Sequence, residues 1–207
     1  MIENHPHKAG ELIRYITLIR NVAEENPTSR WLLYDQQFRL RISMNPLKSW
    51  GSIDGIKTVW IVGSSIIKEA YHHTCHRPTK KNLGMERQGV YLVWVGMSGM
   101  RWSNLMPRLS GLLCCYGLPH AVVIHCGGND IGSPKNPCGY LIYDIKYTLA
   151  NIMFHYLPGT AIIWSNILPR LQWRYSSNLV KMDRTRRRIN RFARSHLLKR
   201  NCYIIQY

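Results

Sequence analysis

Acidic residues, long apolar runs and paired cysteines are all scarce in this chain. Its longest apolar runs, at 90–95 and 121–124, are far shorter than the ~18 residues that cross a membrane. The N-terminus lacks a basic segment followed by an apolar one, which argues against secretion. The six cysteines show no Cys-x-x-Cys spacing, so we expect reduced thiols rather than a disulfide framework. The sequence thus predicts an intracellular protein, cytoplasmic or nuclear, without a transmembrane segment.

The shortage of acids leaves a large positive charge. The 207 residues contain 28 Lys and Arg against 11 Asp and Glu, a net charge of +17. The excess lies in residues 57–207, which have 21 bases and five acids, whereas residues 1–56 are nearly balanced. Such a surplus favours anionic partners such as nucleic acid or anionic lipid. With 45% hydrophobic residues, the chain can nevertheless bury a core.

The first 55 residues are predicted to form a separate helical segment. Leu12, Ile16 and Ile19 recur near helical spacing until Asn26-Pro27 ends the run, and a second helical stretch follows up to Asn45-Pro46. No residue pattern in this segment indicates chemistry.

Residues 56–207 alternate between short apolar runs and helical stretches. The runs, at 58–62, 90–95, 121–125, 161–165 and 202–206, predict five strands, and helices are expected through about residue 72 and near 102–115, 141–156 and 182–199. Apolar strands separated by helices are typical of a parallel sheet buried on both faces. The predicted fold is a three-layer α/β/α sandwich, flavodoxin-like, with a five-stranded parallel sheet.

Three candidate site residues follow the first three strands. Ser65 follows Val62-Gly63-Ser64, Gly99 follows the second run, and Asn129 lies in Gly127-Gly128-Asn129-Asp130 after the third. Ligands of such sheets bind at the carboxyl ends of the strands. The backbone N–H groups at a helix N-terminus, where Ser65 is expected, favour negative charge nearby. An asparagine amide can donate a hydrogen bond to an oxyanion. The alternative interpretation is that these are ordinary turn and capping residues.

These three blocks resemble those of the SGNH (GDSL-like) hydrolases, a family of serine esterases and acylhydrolases. The resemblance implies that Ser65 is the catalytic nucleophile. It also implies that the Ser65 N–H, the Gly99 N–H and the Asn129 side chain form the oxyanion hole. An ester- or acyl-bearing substrate of unknown identity and no cofactor are expected.

The sequence departs from this pattern in two places. Ser64 replaces the usual aspartate of the first block, and no Asp-x-x-His, which supplies the base in the family, occurs in the chain. We expect His125 to be a packing residue rather than a substitute base, and His196 to face solvent. Loss of the base in a comparable triad costs ~10⁶ in kcat, so weak or absent activity is predicted, in a domain that is C-terminally incomplete.

A narrower resemblance covers most of the chain. The segments 60–66 and 163–170, and Met182-Asp183-Arg184 before the Arg-rich helix, look like SGNH domains of vertebrate retroelement polyproteins. Residues 11–15 and 31–39 look like the gag-like segment that precedes such domains. The resemblance implies a retrotransposon-derived protein.

Two weaker patterns remain. His72 and His76 would share a helix face, but no second ligand pair has matching spacing, so no metal site is expected. The segment 181–200 predicts an amphipathic helix whose arginines face outward, either as a solvated surface or as a non-specific phosphate-binding face. The alternative function is therefore a non-catalytic basic module that binds nucleic acid through five residues of this helix: Arg186, Arg187, Arg188, Arg191 and Arg194.

Overall fold

The computed structural model describes residues 56–198 and 202–207. These residues alternate between strands and helices. The strands are β1 (Lys57–Gly63), β2 (Val90–Gly96), β3 (Ala121–His125), β4 (Ala161–Ser165) and β5 (Tyr203–Ile205). The α-helices are α1 (Ser65–Cys75), α2 (Leu105–Tyr116), α3 (Cys138–Asn151) and α4 (Leu179–Leu198). The helical segment predicted for residues 1–55 lies outside the described residues.

The five strands form one parallel sheet in the order β2-β1-β3-β4-β5. β1 lies between β2 and β3, and Gly63 at its end is in register with Gly96 of β2 and His125 of β3. All five residues of the central strand β3 are buried, which explains its unbroken apolar run. The loops after β1, β2 and β3 therefore leave the same edge of the sheet side by side.

Each face of the sheet carries its own core. One face, which includes Trp60, Ile124 and Trp164, packs against α2, α3 and α4. The other, which includes Ile61 and Val123, packs against α1. The predicted fold class is thereby confirmed: helices cover both faces of a five-stranded parallel sheet.

Close packing at Gly96 holds α1 against the end of β2. A Cβ atom on Gly96 would lie 2.2 Å from the backbone nitrogen of Lys68 and 2.5 Å from its Cα. The α1 backbone can approach this closely only because residue 96 has no side chain. Since Ser65 is the first residue of α1, this contact helps to fix the position of the candidate nucleophile.

Helix boundaries differ modestly from the predictions. The stretch expected at 141–156 is α3, which begins earlier, at Cys138, followed by a π-helical turn at Ile152–Tyr156. The basic helix begins earlier than expected, at Leu179. Trp102–Asn104 forms a short 3₁₀ turn that leads into α2.

Candidate active site

Ser65 lies where β1 passes into α1. Ser64 is the N-cap residue, its N–H donates to the His125 carbonyl oxygen (3.2 Å), and its own carbonyl accepts from Ile67 N–H (3.0 Å). Ser65 is half-buried. As the first residue of the helix, it contributes one of the N–H groups that have no intrahelical carbonyl partner. This N–H and the side-chain hydroxyl are therefore available at the same strand end.

The loop after β2 brings Gly99 to the same edge. The Met97 N–H donates to the Gly63 carbonyl (2.9 Å), so the start of this loop is tied to the end of β1. Gly99 has φ +71°, a backbone conformation that glycine adopts without strain. A Cβ atom there would meet no atom of a described residue within 4 Å. Because Gly99 has no side chain, the loop can adopt this backbone conformation, and the space next to its Cα stays open.

Asn129 is held in one orientation by two hydrogen bonds. Its Nδ2 donates to the Met100 carbonyl (2.9 Å), and its Oδ1 accepts from Arg170 Nη1 (2.9 Å). Because a guanidinium only donates, this contact identifies the amide oxygen and sets the direction of the NH₂ group. One NH₂ hydrogen binds the carbonyl of Met100, the residue after Gly99, and no hydrogen bond from the second to a described residue is found.

Arg170 is a site residue that the sequence did not identify. It lies in the loop after β4, and its guanidinium carbon stands 5.5 Å from the centre of the Trp173 ring. A Cβ atom on Gly128 would be 2.8 Å from Arg170 Nη2, so the glycine makes room for the guanidinium. Burial and the charge of Arg174 lower the pKa of Arg170 from its usual value. In the sequence, Arg170 belongs to the segment 163–170 that resembles retroelement SGNH domains. That resemblance implied no role for this residue.

Asp130 has a structural partner. Its Oδ2 accepts from the Trp102 N–H (2.8 Å) at the start of the 3₁₀ turn. Burial raises the pKa of Asp130, although this hydrogen bond and the charge of Arg101 act in the opposite direction. The acid of the Gly-Gly-Asn-Asp loop thus ties that loop to the segment after Gly99.

His125 is buried beside these loops, but it is poorly suited to act as a base. Its Nδ1 is 2.8 Å from Ser165 Oγ, which in turn lies 2.7 Å from the Tyr207 hydroxyl. Burial, and secondarily the charge of Arg170, lowers the pKa of His125 to about 4. A group with that pKa stays neutral at pH 7 and accepts a proton weakly. This environment agrees with the expectation that His125 packs rather than reacts.

The expectation that His196 faces solvent is wrong. Only 9% of its surface is exposed, and its ring stacks on Phe192 with 5.5 Å between centroids. Both residues lie on the inner side of α4, which packs against the sheet and α3. The polarity of histidine suggested the outer face, but an aromatic ring also fits an apolar helix face.

The arginines of α4 divide into two groups. Arg187, Arg188, Arg191 and Arg194 are exposed, as predicted. Arg186 turns inward, where Nε donates to Asp183 (2.7 Å) and Nη1 to the Ile167 carbonyl (3.1 Å). Of the five arginines predicted to bind phosphate, Arg187, Arg188, Arg191 and Arg194 can therefore form an outward face, but Arg186 cannot.

A cavity of about 600 Å³ lies next to the site. Its lining includes Arg101 and Asp130 together with Tyr140, Tyr143 and Tyr147 of α3. The three tyrosines are exposed. Because Arg101 and Asp130 come shortly after Gly99 and Asn129 in the sequence, the cavity adjoins the two loops that contain these candidate residues.

Residues 56–198 and 202–207 contain neither a metal-ligand cluster nor a membrane-spanning helix. No group of three or more His, Cys, Asp or Glu side chains in this part of the chain could hold a metal ion. No described helix is both long enough and apolar enough to cross a membrane.

Comparisons with known proteins identify the fold. No protein-family model and no curated protein matches the sequence. Among solved structures, AlinE4, an SGNH-hydrolase family esterase, matches with a TM-score of 0.51 and 15% identity, covering 74% of this chain and 77% of its own. A Bacteroides fragilis protein described as an acylhydrolase matches with 0.52 and 17%, over 87% and 78%. A GDSL-like lipase from Bacteroides thetaiotaomicron matches with 0.50 and 19%, over 72% and 67%. The chain therefore has the fold of the SGNH hydrolases.

Proposed function

We propose that the protein is an ester or acyl hydrolase of the SGNH type, with Ser65 as its nucleophile. The observation that carries this proposal is the strand order β2-β1-β3, which brings Gly99, Ser65 and Asn129 to adjacent strand ends. The orientation of the Asn129 amide adds support, because its NH₂ group turns toward the loop that contains Gly99.

The reaction follows from these positions. Ser65 Oγ attacks the ester carbonyl carbon, and the Oγ proton passes to a base. The carbonyl oxygen becomes an oxyanion, which accepts hydrogen bonds from the Ser65 N–H, the Gly99 N–H and Asn129 Nδ2. Collapse of this intermediate breaks the bond to the alcohol, which leaves with a proton, and water then hydrolyses the acyl-serine. One such oxyanion donor is worth ~3 kcal/mol in acyl transfer.

We propose that this 207-residue chain is a weak catalyst because neither buried histidine of the described residues, His125 or His196, is suited to act as a base. His125 stays neutral at pH 7 with Nδ1 2.8 Å from Ser165 Oγ, and His196 is buried on the inner side of α4, where it stacks on Phe192. The oxyanion donors alone would leave a residual rate of ~10³-fold over water, and most of that rate would not require Ser65.

Chemical rescue tests both parts of this proposal. Hydrolysis of 4-nitrophenyl acetate is measured with and without added imidazole, for the parent chain, Ser65→Ala and the control Ser98→Ala, an exposed serine next to Gly99. We expect a small Ser65-dependent rate that imidazole raises about 10-fold or more, because a general base contributes ~10²–10⁴. Identical rates for the parent and Ser65→Ala at every imidazole concentration would refute the nucleophile assignment.

The retroelement origin also remains a proposal, supported by the sequence resemblance alone. Transcripts that include this reading frame provide the test. A reverse-transcriptase or recombinase segment in the same frame would support the origin, and an in-frame Asp-x-x-His would supply a base for Ser65. A single-copy gene without element sequences around it would argue against the origin.

The alternative function is binding of nucleic acid by the outer face of α4. The observation that favours it is the exposure of Arg187, Arg188, Arg191 and Arg194 on one helix. Because no base-reading motif accompanies them, binding would occur through phosphates and without sequence preference.

A further inference from the structure

Arg170 combines three contacts at the ligand-binding edge of the sheet. Its Nη1 donates to Asn129 Oδ1 (2.9 Å), its guanidinium lies over the Trp173 ring, and Nη2 lies against Gly128. A guanidinium has five N–H donors, and only one hydrogen bond to a described residue is found for Arg170. The described residues thus fix the group in position and occupy only part of its hydrogen-bonding capacity.

No ion pair between Arg170 and a described acidic side chain is found. Residues 57–207 contain only five acids. Asp183 pairs with Arg186 and Arg187, and Asp130 is engaged by the Trp102 N–H. Burial lowers the pKa of Arg170, and the charge of Arg174 lowers it further.

A partly buried charge without an ionic partner is unfavourable, and a bound anion would neutralise it. Arginine is also suited to such a ligand, since its planar fork can bind carboxylate or phosphate with two hydrogen bonds.

We propose that Arg170 binds an anionic group, a carboxylate or a phosphate, on the substrate. The proposal rests on the proposed ester hydrolysis and adds its substrate class: an ester of an anionic compound. Because Arg170 contacts the oxyanion donor Asn129, the anionic group would lie close to the reacting carbonyl, within the same small molecule.

A competing role for Arg170 is to orient Asn129 and nothing more. The two roles predict different kinetics. Loss of orientation slows hydrolysis of every ester alike, because the oxyanion forms with all of them. Loss of anion binding slows only esters that carry a negative charge.

Direct binding tests the site without any turnover. Inorganic phosphate and succinate are titrated calorimetrically into the parent chain, Arg170→Gln, Arg170→Lys and the control Arg184→Gln. Arg184 is an exposed arginine of α4, so its replacement matches the change in net charge. Thermal unfolding of each variant checks that it is folded.

We expect one anion per chain, with affinity about 10- to 100-fold lower in Arg170→Gln, as for loss of charge-assisted hydrogen bonds. The affinity of Arg170→Lys for the anion should lie between those of the parent and Arg170→Gln, and the affinity of Arg184→Gln should equal that of the parent. The anion that binds more tightly indicates whether the substrate group is a phosphate or a carboxylate. Equal binding by Arg170→Gln and the parent, or no binding by the parent, would overturn the proposal.

A kinetic comparison then separates anion binding from orientation. Hydrolysis of 4-nitrophenyl hydrogen succinate, which is anionic, is compared with that of neutral 4-nitrophenyl butyrate, both with imidazole. We expect the ratio of kcat/KM for the two esters to fall about 10-fold in Arg170→Gln and to stay unchanged in Arg184→Gln.

Two other kinetic outcomes have distinct meanings. An equal loss on both esters would assign Arg170 to orientation alone and refute the anion site. No Ser65-dependent hydrolysis of either ester would refute the proposed function, and the binding titrations would still decide the anion site.

Discussion

Mild acid should destabilise the folded chain through His125. This residue is buried at the end of β3, with Nδ1 2.8 Å from Ser165 Oγ. Burial, together with the charge of Arg170, lowers its pKa from 6.5 to about 4. Between these two values the unfolded chain binds a proton that the folded chain does not, so protonation favours unfolding.

The size of the effect follows from the pKa difference. The contribution of His125 to stability is fully present above pH 6.5 and is lost as the pH falls through the folded-state pKa of about 4. The complete loss is about 3 kcal/mol, and about 2 kcal/mol of it should occur by about pH 5. Domains of this size have ~5–15 kcal/mol of stability, so the loss is measurable.

Urea unfolding followed by tryptophan fluorescence provides the assay. The parent, His125→Asn and the control His72→Asn are unfolded at about pH 7 and about pH 5. Asparagine keeps a polar group near the position of Nδ1 but does not titrate. His72 serves as the control because it is an exposed histidine of α1.

The parent should lose about 2 kcal/mol more than His125→Asn between the two pH values, and His72→Asn should follow the parent. Comparison between variants also cancels the titration of Asp130, whose raised pKa has the opposite effect. If the stabilities of the parent and His125→Asn change equally between the two pH values, folding does not lower the pKa of His125, and the reasoning is refuted.

Two further predictions concern packing and charge. Gly96→Ala should destabilise the fold by about 3 kcal/mol in urea unfolding, because its Cβ would lie 2.2 Å from the α1 backbone. Gly111→Ala, on the exposed side of α2 with no atom within 4 Å, should gain ~1 kcal/mol, and an equal loss in both would refute the packing argument. If α4 binds nucleic acid, a triple glutamine variant should lower the slope of log affinity against log salt by about 3. The residues replaced in this variant are Arg187, Arg191 and Arg194. An unchanged slope would mean that these arginines only face solvent and do not contact phosphates.

The sheet was predictable because each strand is short and mostly apolar. A strand of a parallel sheet is covered on both faces, so β3 appears in the sequence as an apolar run at 121–124 that ends in His125. The positions of Ser65, Gly99 and Asn129 follow from the ends of these runs. Their convergence at one edge depends on the order β2-β1-β3, which the local sequence does not encode but the resemblance to SGNH hydrolases implied.

Side-chain direction was harder to predict than position. His196 lies on an amphipathic helix, where a histidine is compatible with either face, and the fold places it inside against Phe192. Arg186 was assigned to the outer face with its neighbours, but Asp183 and the Ile167 carbonyl draw it inward. In both cases the deciding partner is a contact that helical periodicity cannot specify.

Arg170 and Gly128 illustrate why a motif gives the identity of a site residue but not its orientation. The Gly127-Gly128-Asn129-Asp130 loop supplies the amide, but its direction depends on a guanidinium 41 residues away in the sequence. That guanidinium fits only because residue 128 has no side chain, since a Cβ there would be 2.8 Å from Nη2. A residue other than glycine at 128 would displace Arg170 and release the Asn129 Oδ1 contact. The second glycine of this loop therefore acts on the candidate oxyanion hole through Arg170, a dependence that only the folded chain makes visible.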